Sequence, residues 1–179
     1  MPVEESSLQS KGTLTGKGSR WPVLPNCAWF FFASRENYLA LRDDLPANGA
    51  MAATFRSPQW PAGLLALVSP GLALMLNPAG RRLLRRLGRK IVQQDTVRLE
   101  DDPSEWHEYK LEWKNQQDDF YVDGVSVLGT KISPQGRLGL VIWIDNQYAS
   151  LPPDGRFKYG MQSNEEPAWI EMRRLIINH

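Results

Sequence analysis

Residues 27–34 read Cys-Ala-Trp-Phe-Phe-Phe-Ala-Ser, a continuous apolar run of strand length that follows Pro25. Such a run predicts a strand buried on both faces. Residues 37–42 and 50–56 alternate instead, with Met51, Ala53 and Phe55 on one side. The turn residues Asp43, Asp44, Pro46, Asn48 and Gly49 lie between them. Residues 21–24 form a further short piece closed by Pro25. Strand grammar returns at 91–99. Residues 106–113 then alternate, setting Tyr109, Leu111 and Trp113 opposite Glu108, Lys110 and Glu112. Residues 117–122, the pair Asp123-Gly124 and residues 125–128 predict a tight hairpin. Two last strands are predicted at 138–144 and 168–177, with turn signals at Pro134-Gln135-Gly136 and Pro152-Pro153-Asp154-Gly155. Short strands separated by turns predict an all-β sandwich.

One segment breaks this pattern. Residues 62–76 are almost wholly apolar, split by Ser69-Pro70-Gly71, and a basic run follows after Pro78-Ala79-Gly80. Leu83, Leu84, Leu87 and Ile91 fall on one helical face, while Arg81, Arg82, Arg85, Arg86, Arg89 and Lys90 take the rest. The pattern predicts a mostly helical insertion at about 61–92. Its apolar part is shorter than the ~20 residues that span a bilayer. Two readings stay open. The insertion is a flap packed on the sandwich or on a second subunit, its arginines solvated or paired with acids. Alternatively, it is a basic amphipathic surface for an anionic membrane leaflet. Between residues 60 and 99, seven cations against one acid leave +6, so the remainder of a chain of net charge +1 carries −5. The small overall charge supplies no field for nucleic acid.

The length of 179 residues suits one domain, expected at 21–179 behind a polar leader at 1–20. That leader has no apolar stretch of the signal-peptide kind, which predicts a cytoplasmic protein. Cys27, the sole cysteine, has no disulfide partner in the chain and sits in an apolar run, as a small buried hydrophobe does. With His107 and His179 as the two histidines, no structural zinc set is spelled out. No cofactor is expected, although a calcium ion held by backbone and Asp oxygens stays open. No Ser-His-Asp grouping, phosphate loop or dinucleotide fingerprint is present.

Trp106-His107-x-Tyr109-x-Leu111-Glu112-Trp113, followed by Phe120-Tyr121-Val122-Asp123-Gly124, resembles a strand pair of concanavalin A-like sandwiches. That pair is shared by family 16 glycoside hydrolases and related lectin-like domains. Pro134 and the two last predicted strands follow in the same order, so the likeness covers roughly residues 106–177. It implies a jelly-roll β-sandwich of two antiparallel sheets. The runs at 30–46 and 140–149 are also similar to those of an uncharacterised bacterial group, which implies no activity.

In the hydrolases a Glu-x-Asp-x-(x)-Glu run on one strand places carboxylates on one side of it. Glu100, Asp102 and Glu105 match those letters, but Pro103 interrupts any ladder and the run reads as an acidic turn. The strand expected to carry the motif, 91–99, offers Gln93, Gln94, Asp95 and Arg98 and no glutamate. Retaining hydrolysis needs two carboxyl groups about 5–5.5 Å apart. An enzyme on this scaffold would therefore use Glu112 or the Glu100, Asp102, Glu105 run, or act on a small apolar substrate beneath the flap. The leading expectation is non-catalytic binding of a carbohydrate or small apolar ligand. Trp143, Asp145, Asn146 and Tyr148, with Tyr38, would combine aromatic stacking and hydrogen bonding. The competing reading makes Asp145-Asn146 the start of a turn and Trp143 part of the core.

Overall fold

A computed structural model describes residues 24–38, 42–58, 77–114, 116–164 and 166–178. The leader at 1–20, most of the piece at 21–24 and the apolar run at 62–76 lie outside these residues. The chain order is β1 (Cys27–Ala33), β2 (Gly49–Arg56), α1 (Pro78–Ile91), β3 (Gln93–Arg98), β4 (Tyr109–Lys114), β5 (Gln117–Val122), β6 (Val125–Thr130), β7 (Gln147–Ser150) and β8 (Lys158–Met161). These strands make three antiparallel sheets among the described residues, ordered β1-β2-β3, β4-β5-β6 and β7-β8. The all-β expectation with one helical insertion holds at this level.

The first two sheets face each other as a sandwich. Phe30 of β1 meets Tyr109 of β4 and Phe120 of β5, with ring centroids 5.0 and 5.2 Å apart, and β3 lies against β6. Ala52, Leu99, Phe120 and Val122 are buried between the sheets, joined by Ala28, Phe30, Val97 and Leu128. Burying a side chain such as Phe120 stabilises by about 1.5–3 kcal/mol. The other face of β1 turns Cys27, Trp29 and Phe31 toward a second cluster containing Ala53, Phe55 and Val92. That two-sided burial accounts for the unbroken apolar run in β1. Burial pushes the Cys27 thiol up to about 11, so it remains a neutral, small hydrophobe.

One polar contact crosses the core. The Thr54 hydroxyl donates to Asp118 Oδ2 at 2.8 Å, both residues being fully buried. Burial raises the Asp118 carboxyl above the usual carboxylate range, opposed by the Ser133 and Thr54 hydroxyls.

The helix begins where Asn77 caps it, accepting from the Ala79 amide at 2.9 Å ahead of a first turn that opens on Pro78. It ends as Val92 turns extended and donates to the Gly88 carbonyl. Helix therefore takes Ile91 and the strand expected at 91–99 starts at Gln93. The helix also turns its faces in an unexpected sense. Arg85 is buried, whereas Leu83 and Leu87 point to solvent. Arg85 earns this position through contacts: it donates to the Leu151 carbonyl at 2.6 Å, pairs with Asp43 at 3.0 Å and lies over the Tyr38 ring.

Three predicted strands form incompletely. The segment at 37–42 contributes an isolated bridge from Tyr38 to Ser150, and its residues 39–41 lie outside the described residues. Residues 138–144 and 168–177 carry no ladder pairing. Their composition suits strands, but a strand needs a neighbour to bond, and none of the described strands pairs with them. Among the described residues, no helix is long and apolar enough to cross a membrane.

Candidate functional site

The motif residues that carry the family resemblance build a scaffold. Asp123 and Gly124 both have positive φ, 50° and 78°, as the two-residue turn joining β5 to β6 requires. Asp123 Oδ1 accepts the Glu108 amide at 2.8 Å, and Asp123 Oδ2 lies 2.7 Å from His107 Nδ1. The other ring nitrogen, Nε2, sits 3.0 Å from the Asp102 carbonyl. Both partners are acceptors, so the ring satisfies them only as the imidazolium. The contact with Asp123 accordingly raises the His107 pKa, and His107 in turn lowers that of Asp123.

Of the carboxylates considered for catalysis, Asp102 and Glu112 are each engaged by neighbouring groups. Asp102 accepts both the amide and the hydroxyl of Ser104, at 2.9 and 2.7 Å, and Glu105 N–H donates to the Asp102 carbonyl. Glu100, Asp102 and Glu105 are exposed residues of an acidic turn. Glu112 lies between Lys110 and Lys114, at 2.6 and 2.8 Å, and these two ammonium groups hold its carboxyl at about 2. A carboxyl so held is ionised at neutral pH and has no proton to donate. Among the described residues, no group of three His, Cys, Asp or Glu side chains is placed to hold a metal ion.

The binding candidates divide. Asp145 accepts the Gln147 amide at 3.3 Å, and the Asn146 side chain donates to the Gln162 carbonyl at 2.8 Å, so both shape the start of the β7–β8 hairpin. Tyr148 lies across Gly160, where a Cβ would come within 2.8 Å of its ring. Trp143 meets Trp29 at 5.8 Å between ring centroids while remaining half exposed. Tyr38 joins the hairpin by backbone bonds to Ala149 and Leu151 and is covered by Arg85. Of the helix cations, Arg85 faces inward and Arg89 pairs with Asp43. Arg82, Arg86 and Lys90 stand beside Leu83 and Leu87 on the outer face.

Two shallow recesses are present among the described residues. The first, of about 310 Å³, is lined by Trp113, Pro134, Gln135 and Gly136, with the Trp113 indole donating to the Pro134 carbonyl at 3.3 Å. The second, of about 400 Å³, lies where α1 meets the β7–β8 hairpin and is lined by Arg81, Gly155, Arg156, Phe157 and Lys158. Gly155 has φ +75°, and a Cβ there would sit 2.6 Å from Arg81 Cβ, so only glycine lets loop and helix approach this closely. Three cations converge on this recess. Asp154 lies 3.4 Å from Arg156 at its rim. Phe157 stacks on Tyr159 at 5.8 Å and 26°, and the pair is 55% and 78% exposed.

None of Arg156, Phe157, Lys158 and Tyr159 was singled out from sequence. The available signal was the alternation of cation and aromatic directly after the Pro-Pro-Asp-Gly turn. Arg81 joins them only through folding. No family model matches the chain, and no curated protein or solved structure shows significant similarity to it.

Proposed function

We propose that this chain is a ligand-binding sandwich of the concanavalin A-like kind, with an acidic saccharide as ligand at the recess between α1 and the β7–β8 hairpin. The observation that carries the reading is the exposed Phe157–Tyr159 stack bordering a recess lined by Arg81, Arg156 and Lys158. Aromatic faces suit the apolar side of a sugar ring, and guanidinium groups suit a carboxylate or sulfate. A carboxylate or sulfate adds charge-assisted hydrogen bonds at a cationic recess that a neutral sugar cannot make. The resemblance at residues 106–124 supports the same class of scaffold, and scaffold alone does not choose the ligand.

Thermal shift with two oligosaccharide sets tests this reading. Uronate- or sulfate-bearing oligosaccharides should raise the melting temperature, because they bind the native state, and neutral glucan oligosaccharides should not. Tyr159→Ala and Arg156→Glu should each abolish the shift. Equal shifts with neutral sugars, or none with any sugar, would sink the proposal.

A further inference from the structure

The flank formed by β1 and β4 is open: among the described residues each has one strand neighbour, β2 and β5 respectively. Residues 138–144 and 168–177 each touch this flank. Trp143 meets Trp29 of β1, and Arg173 lies over the Trp106 ring, just ahead of β4, at 4.1 Å. Among the described residues both segments lack ladder partners, and Leu140, Val141, Ile142, Trp169, Ile170 and Ile176 are exposed, Val141 by 67% and Trp169 by 72%. The apolar surface of the two segments is on the order of 1,000 Å², against about 300–600 Å² for the largest patch on a typical monomer and about 800 Å² per partner in a standard interface.

We propose that this flank is a homodimer interface, in which residues 137–145 pair antiparallel with the same residues of a second copy about a two-fold axis at Val141. The charges select such an occupant. Arg137, Arg173 and Arg174 stand against Asp145, Glu165, Glu166 and Glu171 in and beside the two segments, a difference of 3 − 4 = −1, so no strong field draws an anionic membrane or a highly charged partner here. The register adds a specific reason. Pairing about Val141 sets Arg137 opposite Asp145 at both ends, Leu140 opposite Ile142, and Trp143 opposite Gly139. Opposite charges meet, and the bulkiest ring faces the residue without a side chain. The pairing also satisfies backbone groups that have no ladder partner among the described residues.

Light scattering on the full chain should return twice the 20.4 kDa chain mass. Arg137→Glu or Asp145→Arg alone places like charges opposite each other twice per dimer and should weaken dimerisation about tenfold. Combining the two substitutions should restore it, an outcome that damage to one chain does not produce. Val141→Cys in a Cys27→Ser background should form a disulfide between copies on oxidation, since directly opposed residues in an antiparallel pair lie within bridging distance. That readout stands even if a charge reversal unfolds the chain. A monomer at every concentration would assign the cover to the chain itself and overturn the proposal. So would dissociation without rescue by the double variant, or a dimer that ignores both reversals and forms no disulfide.

Discussion

Thr54 and Asp118 show how a single buried pair conditions a core. Asp118 Oδ2 takes the Thr54 hydroxyl, while Oδ1 is buried and has no hydrogen-bond partner among the described residues. Thr54→Val keeps the shape of the side chain and removes the donor, leaving a buried carboxyl less satisfied. The expected cost is about 1–3 kcal/mol. It should appear as a lower urea midpoint with an unchanged slope. A midpoint equal to that of the parent chain would mean that the hydroxyl contributes nothing to holding Asp118. Neither residue stands out in sequence. Thr54 reads as one more position in an alternating strand, and Asp118 as half of a surface acidic pair. Their burial depends on β2 stacking over β5, sixty-four residues away along the chain.

At the scale of elements, His107 ties the approach to β4 to the turn between β5 and β6. Its pKa is raised by Asp123 first, so the folded value stands above the unfolded value of about 6.5. The sign follows from that direction: the imidazolium form stabilises fully below pH 6.5, and the stabilisation is lost as pH rises through the folded pKa. The melting temperature of the full chain should therefore fall between pH 6 and pH 8.5, and His107→Gln should flatten that slope. An identical slope in the variant would remove His107 as the cause. The hairpin itself was legible in sequence, because Asp-Gly between alternating segments has few other conformations open to it. The helix was legible as well, since the spacing of Leu83, Leu84, Leu87 and Ile91 after Pro78-Ala79-Gly80 marks its period. Its orientation was not. Leucine spacing predicts an inward apolar face, yet Arg85 is the buried residue because Asp43, the Leu151 carbonyl and the Tyr38 ring surround it.

For the whole molecule, the sandwich places two of its edge strands, β1 and β4, on one flank and the other two, β3 and β6, on the opposite one. If the first flank pairs with a second copy, stability depends on chain concentration, since association favours the folded form by mass action. The melting temperature should then rise by about 2 °C for each tenfold increase in concentration. A melting temperature independent of concentration would count against association coupled to folding.

By itself the sequence determined the strand and helix periods, the Asp123-Gly124 turn and the uneven distribution of charge. These are local properties, set by side chains and backbone preferences within a few residues. Tertiary structure decided which helix face is buried. It also brought Arg81 to Arg156, Phe157 and Lys158, and left residues 138–144 and 168–177 without strand partners among the described residues. Each of these depends on segments distant in sequence meeting in space, and no local pattern encodes where such segments meet.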